Sequence, residues 1–247
     1  MAAHALLTIL AGVAVAREPA LPPSVLPGLG TSDPRRIVDS DALPWSALGR
    51  VQTELGSRCT GTLIGPRTVL TAAHCLVAPR SGRLVQPGST HFLLGYRQGV
   101  WKAQARATAF LVGPGFDART RSPAGADWAL LTLASPIDAA GTALPLLRGV
   151  PAPAMPLLLG GYQQDRPELL MADDDCRSLG LVKDEEHVML RHDCAATRGA
   201  SGGPLLTRGP DGGWAVAGVA VAAARQQALG LAVPSMVLQR AREQQRE

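Results

Sequence analysis

Residues 198–204 read RGASGGP and place one serine, Ser201, between glycines. Glycines remove the side chains that would crowd an approaching carbonyl group, and they adopt backbone angles that other residues adopt only at a cost. The backbone N–H groups of Gly199 and Ser201 are then available to an oxyanion, and loss of one such donor typically costs about 100- to 1000-fold in rate. The stretch therefore predicts a nucleophilic serine, although a solvated serine in a Gly-Gly-Pro turn has the same pattern.

A nucleophilic serine needs a histidine base and an acid that orients the base. Two upstream stretches supply them. His74 lies in residues 71–75 (TAAHC), at the end of a strand-like run, and Asp127 directly precedes the apolar run 128–133 (WALLTL). Taken alone, a histidine is more often a structural residue than a base, and Asp127 is most simply a solvated turn residue. Together with Ser201 they predict a catalytic triad.

In this chain order, TAAHC, DWALL and GASGGP resemble the histidine, aspartate and serine motifs of the trypsin-like, or chymotrypsin-fold, serine proteases. The resemblance covers most of the chain, and the chain looks most similar to the small secreted bacterial members. It implies that Ser201 is the nucleophile, that His74 is the general base and then the acid, and that Asp127 orients His74. It also implies an oxyanion hole formed by the N–H groups of Gly199 and Ser201.

Short strand-like runs alternate with turns from residue 49 to residue 233, and no long run at helical spacing appears before the C-terminus. This pattern predicts an all-β barrel or sandwich. The resemblance implies two six-stranded antiparallel β-barrels with the active site in the cleft between them. A short C-terminal helix is expected to start at Pro234-Ser235 and to run through Arg242.

The apolar run at residues 5–16 is too short to span a bilayer and ends in small residues, which is typical of a secretory signal peptide, although no Lys or Arg precedes it. The following stretch is rich in Pro, Gly and Ser and is expected to be a leader or propeptide. The predicted organisation is a signal peptide at 1–16, a leader at 17–36, an N-terminal barrel at 37–144, a linker at 145–156 and a C-terminal barrel with its helix at 157–247.

Four cysteines without a C-x-x-C pair favour two disulfides over a zinc or thiol redox site. Of the three pairings, Cys59–Cys75 and Cys176–Cys194 close the shortest loops, and a loop of about fifteen residues contributes on the order of 3 kcal/mol in the chain-entropy model. Four reduced cysteines in the core are the alternative. Disulfides are typical of oxidising compartments, so they support the expectation of a secreted extracellular or periplasmic protein.

The family resemblance fails at one position that concerns activation. In members made as zymogens, cleavage of an Arg-Ile-Val bond releases an N-terminal ammonium, which pairs with an aspartate directly before the nucleophile. Arg36-Ile37-Val38 supplies the bond, but Ala200 stands where the aspartate would be. We therefore expect cleavage near Arg36 to trim the leader without this ion-pair switch. An exposed basic pair with no such role is the alternative.

Position matching to the family also predicts the primary specificity pocket. No acid lies at the expected base of the pocket to receive Arg or Lys, and no histidine lies near Ala220, where glutamate-specific relatives have one. We therefore expect a preference for small or medium apolar residues before the scissile bond. The residues expected to wall the pocket are Ala195, Ala196, Val221, Ala222 and Ala223.

With 247 residues, of which 46% are hydrophobic and 18% charged, the chain is expected to form a substantial core. Its net charge of +4 is spread without clusters, so nucleic acid is not an expected partner. The histidines have no metal spacing, and the three acids at 173–175 are expected in a solvated loop rather than at a calcium site. The expected partners are polypeptide substrates and a protein inhibitor, with no cofactor, no stable membrane anchor and a monomeric state.

Two other functions compete with a serine endopeptidase. A catalytically silent relative would keep the fold as a secreted binding module, but such proteins usually lose one of the catalytic residues, and His74, Asp127, Ser201 and Gly199 are all present. An esterase on an α/β-hydrolase scaffold would place its serine first in the triad and alternate strands with helices. Neither feature is found in the sequence.

Overall fold

The computed structural model of the chain describes residues 26–137, 141–184 and 186–244. The expected signal peptide and the first part of the expected leader lie outside the described residues. Within them the chain is built almost entirely of antiparallel strands, with one α-helix near the C-terminus. The strands are β1 (Arg36–Ile37), β2 (Leu48–Thr53), β3 (Arg58–Gly65), β4 (Thr68–Thr71), β5 (Thr90–Leu94), β6 (Ala103–Val112), β7 (Ala129–Leu133), β8 (Pro156–Tyr162), β9 (Leu170–Asp184), β10 (His187–His192), β11 (Pro204–Arg208), β12 (Trp214–Ala223) and β13 (Gly230–Pro234), and the helix is α1 (Ser235–Gln244).

The first six-stranded barrel closes in the order β2-β3-β4-β7-β6-β5. Its interior is apolar, because β-branched and leucine side chains alternate inward along each strand. Leu63, Val69 and Leu131 have no exposed surface. Phe92 fills the space beside Gly49, where an added Cβ would lie 2.5 Å from the aromatic ring. The glycine therefore lets β2 approach the aromatic side chain in the barrel core.

The second barrel follows the order β9-β10-β13-β12-β11-β8, and pairing of β8 with β9 closes it. The two-residue strand β1 adds to the outside of β9. Helix α1 packs against β12 and β13 through the fully buried Leu238, and the Ser235 hydroxyl donates to Leu147 O over 3.0 Å. The prediction of two six-stranded barrels and a short terminal helix is confirmed.

The long strand β9 contains the three acids that we expected in a solvated loop, and that expectation was wrong. Asp173 is only 4% exposed. Its Oδ2 accepts a hydrogen bond from the Ala195 N–H over 2.8 Å, which compensates part of the cost of its burial. Burial raises the pKa of the Asp173 carboxyl above its ordinary value. A strand that alternates between the interior and solvent thus accommodates an acidic run when one carboxylate finds a backbone donor.

Both predicted cysteine pairs form disulfides. Cys59–Cys75 joins β3 to the turn after β4, and Cys176–Cys194 joins β9 to the chain just after β10. In the part of the chain that the structure describes, no helix is both long and apolar enough to cross a bilayer.

Residues 141–155 connect the two barrels without regular structure. The Leu144 N–H donates to Leu63 O on β3, and the Leu147 N–H donates to Val216 O on β12, over 2.9 and 2.8 Å. This run thus leaves the first barrel and joins the second, while the exact domain boundaries remain a prediction.

Candidate active site

His74 and Asp127 form a two-point contact. The Asp127 carboxylate accepts a hydrogen bond from the His74 backbone N–H over 2.8 Å, and its second oxygen lies 2.6 Å from His74 Nδ1. An ionised carboxylate only accepts hydrogen bonds, so the contact places the ring proton on Nδ1. The lone pair on Nε2 is then free to take a proton from another group.

The strands of the first barrel bring these two residues together. His74 lies in a short 3-10 turn (Ala73–Leu76) directly after β4, and Asp127 precedes β7. Because β4 and β7 are antiparallel neighbours with Thr71 opposite Ala129, the end of one strand meets the start of the other. The Asp127 side chain is 7% exposed and the His74 side chain 19% exposed. The pair therefore lies at one rim of the barrel, with the imidazole reaching the solvent.

Ser201 lies in a turn with two left-handed glycines. Gly199 has a φ of 92° and Gly202 a φ of 78°, a region that glycine occupies at little cost. A Cβ would also collide at both positions, since it would lie 2.2 Å from Tyr162 O at Gly199 and 2.2 Å from Thr71 Oγ1 at Gly202. Beyond the predicted freedom of the backbone, the glycines thus let the turn pack closely against β8 of the second barrel and β4 of the first.

The buried Thr60 on β3 fastens this turn. Its hydroxyl donates to Gly199 O over 2.8 Å and accepts from the Tyr162 N–H over 2.9 Å, while its backbone N–H donates to Ser201 O over 3.0 Å. The Cys75 sulfur lies 3.8 Å from the same Ser201 oxygen. The backbone of Ser201 is thereby placed beside the residue that follows His74.

Two N–H groups of the serine turn stay available to a ligand. Within the described ranges, neither the Gly199 N–H nor the Ser201 N–H donates a hydrogen bond to a protein acceptor. These are the two predicted oxyanion donors, and such donors need a free N–H aimed at the reacting oxygen. In the same described part, no hydrogen bond joins Ser201 Oγ to His74. This contact is often long in an unliganded site and tightens when substrate binds.

A cavity of about 250 Å³ opens next to Ser201. Four of the five predicted pocket residues line it, namely Ala196, Val221, Ala222 and Ala223. Ala195 does not, because it is fully buried and its N–H binds Asp173. The remaining lining residues are Pro27, Leu159, His192, Thr197, Arg198, Ala200, Ser201, Ala220 and Arg225.

His192 is the part of this cavity that the sequence analysis missed. Its side chain comes from the end of β10, packs against Gly230 and is 2% exposed. Nδ1 accepts the Cys194 N–H over 3.3 Å, so Nε2 carries the proton, and this buried donor has no acceptor in the described structure. Burial lowers the pKa of His192 to about 4, which keeps the ring neutral. The position of His192 two residues before Cys194 is the signal that was available.

The cavity also carries two cations at its mouth. Arg198 and Arg225 are exposed, and neither forms an ion pair with a described residue.

The described ranges contain no cluster of side chains with ligand atoms available to a metal ion. The two groups with metal-like proximity, Cys59–His74–Cys75 and Cys176–Asp193–Cys194, hold their sulfurs in disulfides, so no thiolate is available.

Comparison with known proteins agrees with this geometry. The family model for Trypsin matches residues 36–239. A glutamyl endopeptidase of Bacillus licheniformis is 39% identical over 67 residues, which cover 27% of this chain and 21% of the relative. Serine protease 23 of Rattus norvegicus is 30% identical over 182 residues, which cover 63% of this chain and 44% of the relative. The chain thus spans less than half of the length of either curated relative.

Among solved structures, a Glu endopeptidase in complex with MPD superimposes with a TM-score of 0.70 at 17% identity. The match covers 87% of this chain and 99% of the solved chain, so the two share a fold. Two closed β-barrels, the His74–Asp127 pair beside the Ser201 turn, and a family match over most of the length lead to one conclusion. The chain belongs to the trypsin-like serine protease family.

Proposed function

We propose that the protein is a serine endopeptidase that hydrolyses peptide bonds through an acyl-enzyme on Ser201. The observation that carries this proposal is the two-point contact between His74 and Asp127 at the rim where the Ser201 turn is fastened. A carboxylate in that position fixes the imidazole tautomer and stabilises the imidazolium that forms during attack. A purely structural histidine would have no need of a free Nε2 beside a serine.

The reaction follows from the available atoms. Ser201 Oγ attacks the substrate carbonyl carbon while His74 Nε2 takes the hydroxyl proton. The carbonyl oxygen becomes an oxyanion, which the N–H groups of Gly199 and Ser201 stabilise. The peptide C–N bond then breaks, and the leaving amine takes the proton from His74. Water repeats the sequence on the acyl-enzyme, with His74 as its base, and releases the acid product and free Ser201.

Labelling with a fluorophosphonate probe tests the nucleophile. We expect intact-mass analysis to show one adduct on the full protein, to lose it in Ser201→Ala, and to retain it in the control Ser81→Ala, whose serine lies exposed in the first half. A folded protein with both disulfides and no adduct would instead indicate a catalytically silent member that serves as a binding module.

The side chain that the pocket accepts is open to two readings. Alanine walls favour the small or medium apolar residue that the sequence analysis predicts. The unpaired His192 Nε2–H favours a side chain with an acceptor, because an unsatisfied buried donor costs about 1–3 kcal/mol. Arg198 and Arg225 at the mouth add positive charge. We favour an acidic side chain, which the names of the two Glu endopeptidases also support.

A set of peptides that differ only in the residue before the scissile bond separates the two readings. We expect kcat/KM to be at least roughly 10-fold higher for Glu than for Ala or Leu, since a hydrogen bond to a charged group contributes about 1.5–3 kcal/mol. His192→Leu is expected to lower the Glu to Ala ratio, while the distant His91→Gln keeps it. A profile dominated by Ala, Val or Leu would support the apolar preference instead.

We further propose that the protein works as a monomer in a secreted, extracellular or periplasmic setting, with polypeptide substrates and a protein inhibitor as its partners. Two disulfides support an oxidising compartment. Fractionation of producing cells tests the compartment, and gel filtration of the labelled protein tests the monomeric state.

A further inference from the structure

Arg35 lies in the segment that the sequence analysis treats as a leader, yet its side chain has no exposed surface. Its guanidinium donates to Asp33 over 2.8 Å and to both carboxylate oxygens of Asp165 over 3.0 and 2.9 Å. It also donates to Gln163 Oε1 over 2.7 Å. Burial opposes the charge, but the hydrogen bonds to Asp33 and Asp165 raise the pKa of Arg35 above its ordinary value. A permanent cation is thus enclosed within the body of the protein.

The partners of Arg35 also hold the chain that leads into the serine turn. Gln163 Oε1 accepts the Thr197 N–H over 2.7 Å, and Asp165 Oδ1 accepts the Thr197 hydroxyl over 3.3 Å. Thr197 O in turn accepts the Ala200 N–H over 3.2 Å. Two side chains therefore connect the guanidinium to the turn that carries Gly199 and Ser201.

A second contact from the same segment reaches the specificity cavity. Gly28 O accepts the Ala196 N–H over 3.1 Å. Gly28 has a φ of 90°, and a Cβ there would lie 1.8 Å from Ala196 O, so only glycine permits this approach. The neighbouring Pro27 lines the cavity, and Leu29 is 1% exposed. The segment therefore contributes Pro27 to the cavity wall and is fastened beside it through Gly28.

The peptide bond after Arg36 lies within a β-strand. Arg36 and Ile37 form β1, paired with Ala172 and Met171 of β9. Ile37 is 50% exposed, so it is not inserted into the interior. Ala200, at the position before Ser201, is buried and offers no carboxylate to an ammonium. Among residues 26–137, 141–184 and 186–244, the acid–ammonium pair expected for zymogen-type relatives has no counterpart.

We propose that residues 26–36, called here the N-terminal segment, remain in the working enzyme, and that Arg35 is a positioning residue that orders the Thr197–Ser201 turn without cleavage after Arg36. This inference rests on the proposed function, because it assigns the ordered turn to the same endopeptidase site. The Arg35 guanidinium replaces the positive charge that a new N-terminus would supply, and it orders the turn through Gln163 and Asp165.

Three arginine variants of the full-length protein test the proposal. Arg36→Gln removes the arginine that a processing protease would recognise, an exposed side chain that contacts only Asp174 among the described acids. We expect it to keep kcat and fluorophosphonate labelling, with a labelled mass that includes residues 26–36. Arg35→Met is expected to lower kcat roughly 10- to 100-fold with KM nearly unchanged, since a small misplacement of reacting groups can cost about 100-fold. Arg35→Lys is expected to restore part of the loss.

The outcomes are distinct. A labelled wild type that starts at Ile37 while Arg36→Gln is inactive would overturn the proposal, and so would an unchanged kcat in folded Arg35→Met. If Arg35→Met does not fold, Gln163→Leu gives a related comparison, because it removes the shorter of the two bridges to Thr197 and leaves Arg35 with both carboxylates. A folded wild type that neither labels nor cleaves would overturn the proposed function itself.

Discussion

The two halves of the candidate site are held in different ways. His74 and Asp127 are adjacent through paired strands of one barrel, and they contact each other directly at two points. The Ser201 turn lies outside the strands, although its Gly202 N–H donates to Ala220 O on β12. It depends on Thr60 of the other barrel and, through Gln163 and Asp165, on Arg35 of the N-terminal segment.

One pair of strands positions the base and its acid, which we call the local half of the site. Several separate contacts position the serine turn, which we call the distributed half. Antiparallel pairing over a few residues suffices to bring a base and its acid together, so their geometry is stable wherever the barrel is formed. The serine turn is positioned by contacts distant in the chain, and each contributes a part. Substitutions of His74 or Asp127 should therefore change proton transfer, whereas substitutions around the Ser201 turn should change the position of the nucleophile.

The largest effect is expected from removal of the reacting groups. Ser201→Ala and His74→Ala should each lower kcat by on the order of 10⁶-fold, and the double variant should be no worse, because the groups act as one unit. Single-turnover assays with a chromogenic peptide measure this. Additive losses in the double variant would mean that His74 and Ser201 do not share a step.

Asp127→Asn tests the local half of the comparison. The amide keeps the shape but favours the wrong tautomer of His74, so kcat should fall by about 10⁴-fold, the loss known for this exchange in a protease of the family. The free energy of unfolding in urea should change much less, since the amide oxygen of Asn can still accept the hydrogen bond from the His74 backbone N–H. A loss below about 10-fold would argue against Asp127 as the orienting acid.

The neutral His192 predicts a pH-dependent stability of the second barrel. Its pKa is about 4 in the folded protein against an ordinary value of 6.5, so protons bind the unfolded chain more readily. The stability that it contributes is present above about pH 6.5 and is lost as the pH falls towards 4, in total about 3 kcal/mol. As the pH is lowered from 6.5 to 4, the free energy of unfolding should therefore decrease less in His192→Gln than in the wild type. Parallel pH profiles would contradict the assignment.

The smallest effect tests the distributed half. Thr60→Val removes the hydroxyl that binds Gly199 O and Tyr162 N, and kcat should fall by roughly 10-fold. Thr62 lies on the same strand, and its equally buried hydroxyl has no partner among the described residues. Thr62→Val is thus a matched control that should leave kcat unchanged. Equal effects in both variants would show that Thr60 acts only through general packing.

The sequence allowed prediction of the fold and of the local half of the site. Strand-like runs between turns indicated the β-barrels, and three short motifs located His74, Asp127 and Ser201. The Cys59–Cys75 pair could also be predicted, because the bonded residues are close in the chain.

What could not be predicted depends on tertiary contacts that no sequence motif marks. The carboxylate of Asp173 is tolerated inside β9 only because the Ala195 N–H faces it. His192 enters the cavity from β10, far along the chain from Ala220, where the resemblance places the histidine of glutamate-specific relatives. The proline-rich stretch before Arg36 has no periodicity, so nothing in it indicated the burial of Leu29 and Arg35.

The burial of Arg35 has a practical consequence for recombinant production. A shortened gene that begins at Ile37, a natural choice for a family whose members are often trimmed there, would delete the guanidinium and leave its acceptors behind. Gln163 has no exposed surface, and Asp165 is partly enclosed, so water would have to enter to satisfy their oxygens. Such a truncated product should purify poorly or with weak activity, and restoring residues 26–36 should be the first remedy.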